Sequence, residues 1–379
     1  MRIIEAISDM NIGGAGVLLL TRLSTDGKMR DATTVVIPRG SELKKRLDGI
    51  GVKSIEIDCC AERSFEISAI PKYMRIIRRL KPDIINAHGC LSFRIAAFFC
   101  GVPVKIYTRH CTFPLKKTQK SLIYKFTVGR LQGILSDGII AVADVVKKDL
   151  IAMGVPAKKI RVIINGVAGI RRLSEPQRRE IRGRLNIPQT AVVIGIFARI
   201  EEYKGHKDLV DAAVLLLEKS DNYRFLVVGK GSYEEKLMEY CREKGVFDRF
   251  VFTGFAEDIT EYLNITDINV NCSHGTETSS LSLSEGMSIG LPTVASDYGG
   301  NRYMVEDGVN GFRYPPYNGE ALARSIQKIS GNDKLRRRIS ENAQVRYERK
   351  LNSRKMTKAT YDHYMRLASV RKNIRLENL

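Results

Sequence analysis

Glu277 and Glu285 stand with seven residues between them, and Ser279, Ser280 and Leu281 fall inside that interval. An apolar helix is expected from about Leu281, followed by a strand from Thr293 to Ser296. Small residues opening a helix leave unpaired backbone N–H groups at the positive end of the helix dipole, which suits a diphosphate. Ser280 and Leu281 would present those groups, and Glu285, inside the helix, would accept hydrogen bonds from a ribose diol. Arg199 and Lys204 lie between the strand expected from Ala191 to Ala198 and the next helix. A guanidinium fork and a point charge at that place would neutralise a diphosphate leaving group. No Asp-x-Asp pair is placed to hold a divalent ion against it, so no metal is expected. Each pattern also has a bland reading, two solvated helix-face acids and two loop cations.

The wider context decides between these readings. The two acids, the Ser280-Leu281 pair between them and the run Gly290-Leu-Pro-Thr-Val-Ala-Ser296 together resemble the E-x7-E signature of glycosyltransferase family 4. The resemblance covers nearly the whole chain and is strongest from Ala191 to Phe312. It implies a GT-B fold, α/β throughout, with two Rossmann-like doubly wound domains facing across a cleft. The first domain would bind acceptor and the second a UDP-, GDP- or ADP-sugar, with transfer that retains configuration and needs no further cofactor. By the same resemblance Glu277 holds donor-sugar hydroxyls, Glu285 the ribose, Arg199 and Lys204 the diphosphate, and His110 flanks the sugar from the first domain. Gly13 and Gly14 match the family's Gly-Gly loop near the donor phosphates. One departure stands out: where the family commonly has Glu two residues past Asn301, this chain has Tyr303.

The elements that must position these residues can be read from the alternation of short apolar runs and amphipathic segments. Arg2 to Ser8 reads as a strand leading into the glycine loop and a helix from about Val17, a turn in which glycine permits positive φ and close approach of a ligand. Further strands are expected at Thr33 to Ile37, Ser54 to Asp58, Asp83 to Ala87, Val104 to Thr108, Gly138 to Ala143 and Ile160 to Asn165, giving a parallel sheet covered on both faces. His88 and His110 fall at carboxyl ends of such strands, where ligands bind in open α/β sheets; Arg109 beside them would suit an acidic acceptor. A hinge is expected just after Asn165-Gly166-Val167, and the charged stretch 171 to 186 reads as helix-prone, with the composition of an exposed connector rather than a core. The alternation restarts at Ala191, with Gly229 in a tight turn after Phe225 to Val228 and Thr253 bordering the nucleotide base. These boundaries give an acceptor domain at 1–168, a donor domain at 169–350 and a segment 351–379 whose helix, carrying Met356, Tyr361, Tyr364 and Leu367, would cross back to the first domain.

With 379 residues and 44% hydrophobic composition the chain can bury two cores. No run approaches a bilayer-spanning length, and the N-terminus opens as a strand rather than a signal peptide, so a cytoplasmic place is expected. The seven cysteines show no metal-ligand spacing, and Cys59 and Cys60 read as buried thiols. The net charge of +20 is concentrated in residues 1–166, where 28 Lys and Arg face 14 Asp and Glu. Such an excess suits an anionic partner. Lys72, Arg75, Arg78, Arg79 and Lys81 crowd one helix. Lys116, Lys117, Lys120, Lys125 and Arg130 follow Pro114 among Leu122, Ile123, Tyr124 and Phe126, which points to an anionic membrane surface and a glycan or lipid-linked acceptor. Nucleic acid is disfavoured, because the cations are scattered and no binding motif interleaves them with stacking aromatics. The remaining rival is a nucleotide-sugar epimerase on the same fold.

Overall fold

The computed structural model describes residues 1–59, 62–112 and 121–370. Two compact units emerge: residues 1–166 joined by the helix Ser353–Ser369, and residues 167–352. Pro114, Lys116, Lys117, Lys120 and Cys60 lie outside the described residues.

Seven parallel strands form the described sheet of the first unit: β1 (Ile3–Ile7), β2 (Thr33–Pro38), β3 (Lys53–Ile57), β4 (Ile84–His88), β5 (Val104–Arg109), β6 (Gly138–Ala141) and β7 (Ile160–Val162), in the order β3-β2-β1-β4-β5-β6-β7. The second unit has six: β8 (Val192–Phe197), β9 (Tyr223–Val228), β10 (Phe250–Gly254), β11 (Ile268–Asn271), β12 (Thr293–Ser296) and β13 (Gly311–Tyr314), in the order β10-β9-β8-β11-β12-β13. Each sheet therefore reverses direction once, between β1 and β4 and between β8 and β11. Ligands of doubly wound sheets bind outside the carboxyl ends of the strands at that reversal.

Strand residues alternate between faces, and in β8 both sets are apolar: Ile194 and Ile196 enter one core cluster, Val193 and Phe197 the other. In the first unit Tyr73, Ile76 and Ile77 of the helix Ala69–Leu80 meet Phe93, Ala96 and Ala97 of the helix Leu91–Phe99 over Ile4, Ile85 and Ala87. Full burial of a side chain such as Phe93 contributes about 2–3 kcal/mol. The helix Ser353–Ser369 packs along the helix Gly14–Thr25, with Met356, Thr360, His363 and Tyr364 buried.

Several expectations are corrected. β7 ends at Val162 and β6 at Ala141, short of Asn165 and Ala143, although the Ile163 N–H still donates to the Ala141 carbonyl at 3.0 Å. The stretch 171–186 is helical over Glu175–Arg184, opened by a Ser174/Gln177 capping box, and mostly exposed, but it is more than a connector, because it buries Ile181 in the core. Arg182 donates to the carbonyls of Ala191 and Ile265 and pairs with Asp267 at 3.0 Å. A single apolar residue and one inward arginine were masked by the charges around them. Cys59 is half-buried and Cys111 exposed, so not every thiol is interior. Among the described residues no helix is long and apolar enough to cross a membrane.

Candidate functional site

In the second unit the loops leaving β8, β9, β11 and β12 are laced together at the reversal of the sheet. After β8 the chain runs through Arg199 to a short 3-10 turn, Glu202–Lys204, and then Gly205 at φ +69°. A Cβ at Gly205 would stand 2.1 Å from the Cys272 carbonyl, so only glycine lets this loop lie on the end of β11. The Tyr203 carbonyl accepts from the His274 N–H at 2.9 Å, a second tie between the two loops. The third tie is ionic. Lys204 Nζ lies 3.0 Å from Glu277 Oε2.

Glu277 is 5% exposed, unlike the solvated acid of the bland reading. Asn271, the last residue of β11, donates from Nδ2 to Glu277 Oε2 at 3.3 Å, while its Oδ1 accepts from the Ser273 N–H and from Asn301 Nδ2. The Gly300 N–H donates to the Glu277 carbonyl at 3.0 Å, and a Cβ on Gly300 would meet the Thr278 carbonyl at 1.7 Å. Asn271, Gly299, Gly300 and Asn301 thus fix the carboxylate. Sequence reasoning used the Gly-Gly pair and Asn301 only to mark the departure at Tyr303, and it passed over Asn271, one of two asparagines in β11.

Ser280 caps the helix Leu281–Ser288, its hydroxyl accepting from the Leu283 N–H at 3.3 Å. The first helical N–H groups, those of Leu281 and Ser282, have no acceptor within the helix. Glu285 lies on this helix, and burial, aided by the Asp258 carboxylate, pushes its pKa up to about 7. Among the described residues no donor reaches its carboxylate, so a diol would satisfy a group that the fold leaves short of partners.

Arg199 is exposed and donates to the Tyr203 hydroxyl at 2.8 Å. It shares the β8 loop with Lys204 but does not join the Glu277 pair. Gly229 has φ +148°, and a Cβ there would lie 2.0 Å from the Ala198 carbonyl, so the turn after β9 packs under the loop that carries Arg199. Thr253 at the end of β10 donates to the Gly254 and Val227 carbonyls at 3.1 and 3.4 Å. Tyr303, in place of the family's acid, offers its ring to Arg346 at 4.9 Å and Lys350 at 5.7 Å. His206, just after Gly205, is buried and pushed down to about 3 by burial and by Lys204, so its ring is neutral.

In the first unit Gly13 and Gly14 open the helix Gly14–Thr25, but neither takes positive φ, which corrects the reason given for them. Gly13 is an extended N-cap, and a Cβ on Gly14 would meet nothing within 4 Å. They leave an open approach to a helix start, not a strained turn. His88 ends β4 and His110 follows β5; His88 Nδ1 and His110 Nε2 lie 2.8 Å apart. Burial, with His88 and Arg22 nearby, holds the His110 pKa well below the usual imidazole range. Arg109 is held inside its own unit, donating to the Cys111 carbonyl at 3.1 Å.

Comparison with known proteins agrees with this architecture. The model of the glycosyl transferases group 1 matches residues 177–346, and that of Glycosyltransferase Family 4 matches residues 12–168. The chain is 27% identical to the 2-deoxystreptamine glucosyltransferase of Streptomyces kanamyceticus, over 69% of this chain and 72% of that protein. It is 31% identical to the phosphatidyl-myo-inositol mannosyltransferase of Mycobacterium leprae, over 58% of each. Among solved structures, Anabaena Alr3699/HepE in complex with UDP aligns with TM-score 0.84 at 22% identity, over 97% of this chain and all of that one. A glycosyltransferase from Rickettsia africae aligns with TM-score 0.81 at 21% identity, over 98% and 99% of the two chains. With one family model on each unit and GT-B structures matching along its length, the chain belongs to the family 4 glycosyltransferases of GT-B fold.

Proposed function

We propose that this glycosyltransferase moves a sugar from a nucleoside diphosphate sugar to a glycan or lipid-linked acceptor of the cell envelope, with retention of configuration and without a divalent metal. The contact between Lys204 and Glu277 carries the reading: a cation and a carboxylate meet at the reversal of the second sheet, beside a capped helix start. Incoming diphosphate competes for Lys204 and takes the free N–H groups of Leu281 and Ser282, with Arg199 closing on it from the same loop as the lysine. Glu277, released from the lysine but still held by Asn271, accepts hydroxyls of the sugar. Glu285 receives the ribose diol. Catalysis then rests on positioning and on charge stabilisation of the leaving diphosphate, which itself takes the acceptor proton. By the family resemblance His110 is assigned to the sugar, and the Gly13-Gly14 loop to the phosphates and acceptor.

HepE structures contain UDP, or UDP and glucose, which makes UDP-sugars the first donors to try, with GDP- and ADP-sugars beside them. A thermal-shift panel tests this, since a true donor stabilises the fold by mass action. The reading expects one nucleotide class to raise Tm and the product to keep the donor's anomeric configuration by NMR. Inverted product contradicts retention, and an epimerised nucleotide sugar formed without acceptor favours the rival enzyme.

A lipid-bound acceptor is supported by the stretch Leu122–Ile134 of the first unit. Leu122, Ile123 and Phe126 are 83%, 77% and 66% exposed, and the Arg130 guanidinium lies 4.6 Å over the Phe126 ring. Apolar side chains flanked by Lys125 and Arg130 suit the interface of an anionic leaflet, where each well-placed cation adds about 1 kcal/mol. Sedimentation with anionic and neutral vesicles tests it: preferential, salt-sensitive binding to anionic vesicles that Leu122→Ser with Phe126→Ser abolishes is expected, and equal binding to both, or none, overturns the membrane reading.

A further inference from the structure

A carboxylate in the middle of a parallel strand is costly, since desolvating an ion takes several kcal/mol unless partners surround it. Glu5 occupies such a place in β1, fully buried between isoleucines and alanine. Its partners come from three elements. Arg22 of the helix Gly14–Thr25 pairs with Oε2. The Tyr364 hydroxyl, from the helix Ser353–Ser369, donates to Oε1 at 3.3 Å and accepts from Asn86 Nδ2 at 2.8 Å, while Thr108 donates to Asn86 Oδ1 at 2.9 Å. His88 Nε2 lies 2.8 Å from Glu5 Oε2, and His88 Nδ1 lies 2.8 Å from His110 Nε2. Arg22 alone would neutralise Glu5. The second acceptor direction runs through two rings to the edge of the sheet.

Proton bookkeeping along this line is restrictive. Held at about pKa 2 against its burial by Arg22 and His88, Glu5 is ionised and can only accept. His88 must then carry its proton on Nε2. In neutral His88 the Nδ1 lone pair accepts from His110 Nε2–H, which leaves the lone pair of His110 on Nδ1. One proton added to His88 reverses the last bond: Nδ1–H now donates, and neutral His110 carries its proton on Nδ1 instead. A cavity of about 30 Å³, lined by Arg22, Asn86, His88, Thr108 and His110, adjoins the line and has room for a water.

We propose that Glu5 and His88 are positioning residues for transfer, a carboxylate–imidazole–imidazole line that sets which nitrogen of His110 accepts and which donates. This rests on the reading of His110 as the residue beside the sugar. The groups facing His88 are Glu5 of β1, Asp9 of the loop after it, Asn86 at 3.4 Å and His110.

Two variants and one spectroscopic reading test it. His88→Phe keeps the ring stacking on His110 and leaves Glu5 with Arg22 and Tyr364, so the fold survives. It should lower kcat by about tenfold with donor KM nearly unchanged, and change the 15N-histidine NMR pattern of His110 from one tautomer to a mixture. Glu5→Gln can keep its carbonyl towards Arg22 and His88. It should lower kcat less than His88→Phe does, with donor KM nearly unchanged, and broaden the His110 tautomer pattern in the 15N spectrum at a melting temperature near the parent's, a split that a merely structural role would not give. His110→Ala separates the failures. If it turns over like the parent, the placing of His110 is wrong and the inference falls with it. If His110→Ala is slow but His88→Phe matches the parent in kcat and in the His110 tautomer, the site stands and the relay is refuted.

Discussion

The Lys204 ammonium and the Glu277 carboxylate, 3.0 Å apart, join the two loops that flank the reversal of the second sheet. Both side chains are largely buried, at 16% and 7% exposure, so the pair does two jobs. It ties the β8 loop to the β11 loop, and in the proposed function it holds a cation where the leaving group would develop charge. Lys204→Ala should lower turnover by on the order of 10²-fold, the scale of losing about 3 kcal/mol of transition-state stabilisation. Glu277→Gln should abolish most transfer as well and in addition cost roughly 2 kcal/mol of stability, because a charge-assisted contact is weakened in a buried place. Steady-state kinetics beside thermal melts check both; turnover of either variant near the parent's removes the pair from the mechanism.

Gly300 and Gly14 should respond to the same substitution in opposite ways. Gly300→Ala forces a Cβ to within 1.7 Å of the Thr278 carbonyl and must displace the Glu277 loop, so melting temperature and donor binding fall together. Gly14→Ala meets nothing within 4 Å, so the melt should not move. A loss of turnover in Gly14→Ala at unchanged Tm reports a ligand close to that helix start. Equal turnover would place the ligand elsewhere.

Glu285 makes donor binding depend on pH. Its carboxyl titrates near 7 in the free protein, whereas a solvated glutamate ionises near 4.5. Only the ionised form accepts two hydroxyl donors, so donor affinity should fall as pH drops below about 7 and plateau above it. The stability sign is the reverse. A raised acid contributes fully below the unfolded value and loses that contribution as pH rises through the folded one, between about 4.5 and about 7. Glu285→Gln should therefore melt higher than the parent at pH above 7 and bind donor more weakly, and calorimetry at two pH values reads both.

Metal dependence offers a separate check. Among the described residues no cluster of His, Cys, Asp and Glu is arranged to hold a metal ion, and the cations Arg199 and Lys204 occupy the donor loop. Transfer should continue in EDTA at the rate seen with added magnesium. Activity lost in chelator and restored by metal would overturn this.

How far these features were legible in the sequence differs from one to the next. Strand β12 is recovered to the residue, because Thr293 to Ser296 is a short β-branched and small-residue run between the Leu291-Pro292 turn and Asp297. Lys204, Glu277, Ser280 and Glu285 were visible through spacing and resemblance. The helical tendency of Glu175–Arg184 was legible, but its share in the core was not, because one buried Ile181 cannot outweigh its charged neighbours in composition. Asn271 and Asn301 escaped because their work is to bond other polar groups across 30 residues, a relation that no local pattern records. Glu5 escaped for a similar reason: its partners Arg22, His88 and Tyr364 are separated from it by 17, 83 and 359 residues. A buried acid inside a strand looks like a mispatterned residue until those partners are assembled.

The account stands most directly on a calorimetric titration of the protein and its Lys204→Ala variant with UDP, GDP and ADP. It predicts that one of the three binds the parent and that the variant binds it about tenfold or more weakly, the loss expected for a charge-assisted phosphate contact. Binding of none of the three, or equal binding by parent and variant, would contradict the assignment of a nucleotide diphosphate to the loops around Lys204 and Glu277.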